Sequence, residues 1–298
     1  MHKKGQRIDE IFEIGVSGTP RAGLLRDIRE RLSKYKRPGT FYKKFFIITP
    51  NPEIILLGQA DKEYKSILKN ASYSIPDAVG VVQAIKFLGL KAPKSKMARI
   101  IVCFFQGMLV GLSTFVAKSW LYNPIAPIKG REFFVDLVRL ANKKKWTVVL
   151  FGGVDGEAEK TKKIFLASYK GLKITAIDGP MLDNKGKPAS KKDIQIEEDA
   201  IKEINKQKPH LLFLAFTPPK QEKWYVRNQK RLRIGAAMMV GGTYRYIIGK
   251  SKLPPKWLSQ MGLEWVWRLI TEPHRIKRIF TAFPIFPLKV YWYKVKNL

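Results

Sequence analysis

Two polar clusters hold the residues of this chain best suited to chemistry. Thr49-Pro50-Asn51-Pro52 follows the apolar run Phe45-Phe46-Ile47-Ile48 with no spacer, and Pro76-Asp77 follows a second short run at about 73–75. An aspartate can take the proton of a hydroxyl nucleophile, and threonine and asparagine nearby can hydrogen-bond a polar ligand. Aspartate is also a favoured helix N-cap, and Asp77 stands just before a helical pattern. On the residues alone both roles stay open for Asp77. They are compatible, because a helix amino terminus keeps a carboxylate ionised at some loss of basicity.

The surrounding pattern predicts how the clusters meet. Phe45 to Ile48 reads as a buried strand that two prolines forbid from continuing. Glu53 to Asn70 has helical spacing, a second strand lies at about 73–75, and Val79 to Leu88 begins another helix. In a βαβ unit both clusters lie at the carboxyl ends of neighbouring strands, where open α/β sheets place their ligands. Thr49, Asn51 and Asp77 are therefore expected to share one crevice. Upstream, Ile11 to Val16 reads as one short strand, Ser17-Gly18-Thr19-Pro20 as a turn and Arg21 to Leu32 as a helix. The basic run Arg31 to Lys44 reads as a solvated loop.

The second half repeats the strand-turn-helix theme. Trp146 to Phe151 is a strand, Gly152-Gly153-Val154-Asp155-Gly156 a tight turn and Glu157 to Leu166 a helix. Glycines at such a junction let a diphosphate approach backbone N–H groups, although an ordinary βα turn has the same sequence and the full Gly-x-Gly-x-x-Gly pattern is missing. Lys173 to Ile177 is a further strand, Ile194 to Gln207 a helix, and Leu211 to Phe216 a strand ending at Thr217-Pro218-Pro219-Lys220-Gln221-Glu222. Ala236 to Val240 is a late buried strand. Gly241-Gly242 after it either borders a donor site or is a close-packed junction. The expected architecture is α/β: a Rossmann-like, mostly parallel sheet flanked by helices.

Composition sets independent limits. The 298 residues are 45% apolar, enough for one large or two modest domains, and 56 basic residues against 24 acidic ones give a formal charge of +32. The partner is therefore expected to be polyanionic, either nucleic acid or an anionic membrane surface. The basic residues are dispersed, and no helix-turn-helix, zinc-finger or RNP pattern occurs, which argues against specific nucleic-acid binding. The lone Cys103 excludes an internal disulfide and a cysteine metal cage, and His2, His210 and His274 are too scattered to suggest a metal site. No metal or cofactor is expected. Met1-His2-Lys3-Lys4-Gly5 is basic with no apolar stretch behind it, so no secretory signal is expected either.

The clusters, in order, resemble the WecG/TagA/CpsF family of glycosyltransferases. Its Thr-x-Asn-x-Glu and Pro-Asp-Gly-x-Gly turns are matched by Thr49, Asn51, Glu53, Pro76, Asp77 and Gly80, with Ala78 in place of the first glycine. Gly152-Gly153, Pro219-Lys220-Gln221-Glu222, Val240-Gly241-Gly242 and Gly262-Leu263-Glu264-Trp265, running to Arg268, Pro273, Arg275 and Arg278, extend the likeness over most of residues 45–280. The resemblance implies an inverting enzyme that moves N-acetylmannosamine or a related sugar from a UDP donor to a polyprenyl-diphosphate-linked N-acetylglucosamine. It implies Asp77 as the base with Thr49 beside it, and Asn51 and Gln221 as substrate ligands. Arg268, Arg275 and Arg278 would close over the site. Gly152, Gly153, Gly241 and Gly242 are the candidates near the donor diphosphate. A basic nucleic-acid-binding protein, or a noncatalytic membrane scaffold that keeps the fold, is the alternative.

Residues 91–129 depart from that family. Lys91, Lys94, Lys96 and Arg99 lead into the uncharged run Ile100 to Ala117, followed by Lys118, Trp120 and Tyr122. The run meets the lower length limit of a membrane span, but a crossing would part the Asp77 strand from the Gly152 strand. A re-entrant or interfacial element at the cytoplasmic face of the membrane is expected instead, with a core or homo-oligomer contact as the alternative. The chain is expected to divide into an α/β domain, 1–255, and an aromatic-basic helical appendage, 256–298. From Gly262 on, seven Lys or Arg face only Glu264 and Glu272 and are interleaved with tryptophan, tyrosine and phenylalanine, a composition suited to anionic lipid.

Overall fold

The computed structural model describes residues 8–36, 42–273 and 276–297. In chain order the elements begin with β1 (Ile8–Ile11), β2 (Ile14–Ser17), α1 (Arg21–Leu32), β3 (Phe45–Ile48), α2 (Pro52–Ala60), α3 (Lys62–Lys69), β4 (Tyr73–Ser74) and α4 (Val79–Leu88). The inserted stretch forms α5 (Lys96–Val116) and α6 (Lys118–Leu121). Then come α7 (Gly130–Lys144), β5 (Thr147–Gly152), α8 (Glu157–Ser168), β6 (Lys173–Ile177), α9 (Lys191–Gln207), β7 (Leu211–Ala215), α10 (Lys220–Asn228), β8 (Ala236–Met239) and α11 (Thr243–Ile247). The end of the chain carries α12 (Lys256–Gln260), α13 (Glu264–Thr271), α14 (Ile276–Phe280), a π-helical turn (Thr281–Ile285) and α15 (Phe286–Asn297).

Six strands form one sheet in the order β4-β3-β8-β7-β5-β6, every pair parallel. Parallel strands are covered on both faces and need unbroken apolar runs, and Phe45-Phe46-Ile47-Ile48 is buried throughout. Alternate residues face two cores. Phe46 and Ile48 join the core built with α2, α3, α4, α9 and α10, while Phe45 and Ile47 join that of α1, α7 and α8. Every β-to-α turn after β3, β4, β5, β7 and β8 therefore opens at the same edge of the sheet.

Three expectations need correction. Ile11 to Val16 is not one strand: it is a hairpin, because Phe12 and Glu13 take positive φ (53° and 67°) and turn the chain between β1 and β2. Glu53 to Asn70 is two helices. Asp61 leaves helical geometry and its carboxylate caps α3 through Tyr64 N–H at 2.9 Å. The two end residues of the Arg31 to Lys44 run are packed, with the Arg31 guanidinium 3.9 Å above the Phe45 ring and Lys44 Nζ donating to the carbonyls of Gln229 (2.7 Å) and Leu232 (2.5 Å), whereas Lys34, Lys36 and Lys43 are exposed as expected.

Helix α5 lies against α4 and α15. Its buried residues are Cys103, Val110, Ser113 and Thr114. The opposite face is open: Phe104, Phe105, Leu109 and Leu112 are each between 55% and 63% exposed. It is long and apolar enough to cross a bilayer, yet the α4 before it and the α7 after it pack on opposite faces of one sheet. The helix therefore lies along the body of the fold rather than separating two halves of it.

Candidate active site

A cleft of about 1170 Å³ lies at the carboxyl edge of the sheet. Thr49, Asn51, Asp77, Gln221, Gly153, Gly241, Gly242, Arg268 and Arg278 all line it. Gly152 does not. It ends β5 under the Phe216 ring, where a Cβ would come within 2.9 Å of that ring. Arg275 lies outside the described residues.

Asp77 leaves α4 uncapped. The N-cap position of that helix is Ala78, whose side chain caps nothing, and the Asp77 carboxylate instead accepts the N–H of Gly130, the first residue of α7. A carboxylate at the amino terminus of a 15-residue helix is favoured by the helix dipole. Thr49 packs on the same residue: a Cβ on Gly130 would lie 3.0 Å from Thr49 Oγ1. Gly130 is thus a close-fitting floor, with Thr49 and Asp77 resting on it. Ala78 sits at φ −129°, ψ 150°, an extended conformation that demands no glycine. The departure from the Pro-Asp-Gly pattern therefore carries no backbone strain.

The electrostatics around Asp77 are balanced by two opposing influences. Burial raises its pKa, and the Gly130 N–H and the charges of Arg268 and Arg131 pull in the opposite direction without cancelling that rise. Arg131 is itself held by Glu264 in a forked pair, NH1–Oε2 3.3 Å and NH2–Oε1 3.2 Å, while Lys129 reaches the same carboxylate at 2.7 Å and Ser259 Oγ donates to it at 2.5 Å. Burial would raise the pKa of Glu264, but these partners bring it down to about 2. Arg268 has no carboxylate partner among the described residues and lies 6.0 Å from the Tyr246 ring centroid. Around the cleft, seven Lys or Arg side chains face four carboxylates among the described residues. Three of those four are spent on ion pairs: Glu53 with Arg278, Glu157 with Arg245 and Glu264 with Arg131. The remaining positive field suits a diphosphate.

The other expected ligands divide by what already holds them. Asn51 Oδ1 caps α2 by accepting Ile54 N–H at 3.0 Å, so its amide NH₂ is the part left for a ligand. Gln221 is 2% exposed and spans two loops: its Oε1 accepts Gly241 N–H at 3.0 Å, and its Nε2 donates to Glu222 Oε1 at 2.9 Å. Glu222, also buried, has its pKa pushed up to about 7 by that burial. The Tyr64 hydroxyl, also buried, is its neighbour and partly offsets that rise. At the Gly152-Gly153 turn the amides are occupied within the protein, Gly153 N–H by Ala215 O (2.9 Å) and Val154 N–H by Glu157 Oε2 (3.4 Å). Glu157, which takes the Val154 N–H, is itself paired with Arg245 on the cleft wall. Gly242 is the open glycine, since a Cβ on it would meet nothing within 4 Å.

Lys129, Arg131, Arg245 and Tyr246 do not stand out in the sequence. Their one legible signal is Gly130-Arg131-Glu132 at the start of a helix. The partners of Arg131 and Arg245 lie 133 and 88 residues away in the chain and leave no local pattern.

A doubly wound parallel sheet, with a carboxylate and a cluster of arginines in the crevice at its carboxyl edge, defines an α/β protein whose crevice is chemically suited to a phosphorylated ligand. Comparison narrows the class. The family model described as "Glycosyl transferase WecG/TagA/CpsF family" matches residues 10–104 and 96–298. An N-acetylglucosaminyldiphosphoundecaprenol N-acetyl-beta-D-mannosaminyltransferase of Bacillus subtilis (strain 168) is 26% identical over 245 residues, 82% of this chain and 78% of that protein. One of the same name from Staphylococcus aureus (strain NCTC 8325 / PS 47) is 24% identical over 246 residues, 82% and 79% respectively. The chain belongs to the WecG/TagA/CpsF family and is a glycosyltransferase.

Proposed function

We propose that this enzyme transfers N-acetylmannosamine, or a closely related N-acetylhexosamine, from a UDP-sugar to N-acetylglucosamine carried on polyprenyl diphosphate, in the synthesis of a cell-surface polysaccharide. Asp77 takes the proton of the acceptor hydroxyl as that oxygen bonds to the anomeric carbon. The bond from that carbon to the donor phosphate breaks, and UDP leaves with the electron pair. A single displacement inverts the anomeric centre. Arg268, with Arg278 and Arg275, neutralises the departing diphosphate, and arginine suits this because its planar fork meets two phosphate oxygens at once. Thr49 and the Asn51 amide orient the sugars. Gln221 holds the Gly241-Gly242 loop that borders the donor.

The observation that carries this reading is the Asp77 carboxylate, seated on the α7 terminus in a cleft where Arg268 stands beside it without a carboxylate partner among the described residues. A raised pKa makes the carboxylate a better base once ionised. The relatives act, by name, on a lipid-linked acceptor, and the exposed face of α5 and the aromatic-basic residues 256–298 fit an enzyme lying on the cytoplasmic face of an anionic membrane. In this reading 1–255 is the catalytic domain and 256–298 the membrane-binding, site-closing appendage. The test is transfer of labelled sugar from a panel of UDP-sugars to a lipid-diphosphate-N-acetylglucosamine acceptor. Product with an inverted linkage from UDP-N-acetylmannosamine supports it, and no product from any UDP-sugar contradicts it.

A further inference from the structure

The cleft does not end at Asp77. It continues along α4, and its walls turn from polar to apolar as it goes. Val79, Gln83 and Phe87 form one side, and Thr114, Gly111 and Gly107 of α5 run antiparallel on the other. Gln83 Nε2 donates to Thr114 Oγ1 at 2.6 Å at the end near Asp77, and a Cβ on Gly107 would lie 3.9 Å from the Phe87 ring at the other. Phe286, Val290 and Tyr291 of α15 form the third side. From Val79 to Phe87 the helix rises about 12 Å.

Buried polar contacts tie the three helices together at the far end. Lys294, fully buried, donates to Phe87 O at 2.5 Å and to Gln106 Oε1 at 2.8 Å. Tyr291 Oη donates to Ile100 O at 3.0 Å, and Arg99 NH1 to Val295 O at 3.1 Å. Between these ties and the Gln83–Thr114 bond the space stays open, and a Cβ on Gly111 would meet no atom within 4 Å. Gly107 and Gly111 are exposed, so the helices, tied at both ends and open between them, form a groove that solvent or a ligand can enter.

We propose that this groove holds the first isoprene units of the lipid-linked acceptor, whose diphosphate lies at the cationic end of the cleft beside Asp77. The proposal rests on the acceptor class named above, and the order of surfaces is what argues for it. Polyprenyl diphosphate presents a doubly charged head and then a hydrocarbon chain. The cleft presents Lys129 and Arg131, two cations that share the one carboxylate of Glu264, and then an apolar trough. Beyond the trough, the outer face of α5 is exposed and apolar, so a chain leaving the groove passes into lipid rather than water.

The test measures binding of inorganic diphosphate and of geranyl, farnesyl and geranylgeranyl diphosphate to the full chain, and to the Gly111→Leu and Gly107→Leu/Gly111→Leu variants. For the parent, affinity should climb with each added isoprene. The double variant should bind farnesyl diphosphate at least about tenfold more weakly and bind inorganic diphosphate as before. Gly111→Leu meets no clash at its Cβ and gives a well-folded comparison should the double variant unfold. The same proteins are assayed for transfer to long-chain and short-chain acceptors, and the long-to-short preference should fall by a similar factor. Affinity that ignores chain length in the parent, or that climbs equally in the Gly111→Leu variant, overturns the groove. Chain-length-dependent binding without sugar transfer would leave the groove standing and defeat the proposed reaction instead.

Discussion

Arg278 Nε meets Glu53 Oε1 at 2.6 Å, across 225 residues of sequence. The pair ties the carboxyl-terminal segment to the turn that carries Thr49 and Asn51, so the segment's position and that of the signature turn are one structural fact. Both side chains are partly exposed, and such a pair contributes roughly 0–1 kcal/mol to folding. Both residues line the cleft, and in the proposed function the pair holds the guanidinium there.

Arg278→Ala should therefore leave the melting temperature almost unchanged and lower kcat/KM for the lipid-linked acceptor on the order of 10- to 100-fold, the worth of a charge-assisted hydrogen bond. Glu53→Gln should show a smaller loss in the same parameter. Steady-state kinetics with calorimetry checks both, and equal activity in all three proteins would make the pair structural only.

Much of this arrangement is legible in the residues. Strands such as Phe45 to Ile48 announce themselves through unbroken apolar runs closed by prolines, and α1, α4 and β6 occur at the expected limits. The hairpin at Phe12-Glu13 is hidden because neither residue is a usual positive-φ residue. The break at Asp61 is hidden because a capping aspartate looks like any polar helix residue. In the site, the polar turns at strand ends can be read, whereas the Arg131–Glu264 and Arg278–Glu53 pairs cannot, since ion pairs between distant segments leave no period. Asp77 does serve a helix terminus, as aspartates often do, but that helix begins 53 residues later in the chain.

Glu264→Gln removes the counter-charge from Arg131 and Lys129. It also removes a carboxylate whose charge raises the pKa of Asp77. Both changes favour ionised Asp77, so the acidic limb of the pH–rate profile should move to lower pH. Folding should weaken by roughly 1–3 kcal/mol as charged hydrogen bonds are lost. A pH–rate series compared with the parent checks the sign, and a shift to higher pH would show that Glu264 does not act on Asp77.

Glu222 supplies a pH dependence of stability. Its folded pKa of about 7 lies above the unfolded value of 4.5, so between those values the folded state holds the extra proton. Stability contributed by that proton is fully present below about pH 4.5 and is lost as pH rises through 7. Glu222→Gln should flatten this slope and raise the melting temperature at pH 8. Because Gln221 and the Gly241-Gly242 loop hang on this carboxyl, the variant also tests whether activity follows its protonation. Identical melting curves for parent and variant from pH 5 to 8 would remove Glu222 as the cause.

Membrane attachment should have two separable parts. Changing Phe104, Phe105 and Leu109 together to serine removes apolar area from the exposed face of α5 and should leave vesicle binding that needs low ionic strength and anionic lipid. The parent should keep a salt-resistant bound fraction. Flotation with neutral and anionic vesicles at low and high salt measures this, and a triple variant that floats like the parent at high salt would make α5 a protein-contact helix.

Asp77→Asn is the most direct test of the catalytic assignment. Asparagine keeps a carbonyl oxygen for Gly130 N–H and so retains the seat on α7, but it cannot take the acceptor proton. Transfer of labelled sugar from UDP-N-acetylmannosamine to lipid-diphosphate-N-acetylglucosamine should fall by roughly 10²- to 10⁴-fold, with the melting temperature close to that of the parent. Turnover within a few-fold of the parent in a folded Asp77→Asn enzyme would contradict the assignment of Asp77 as the base.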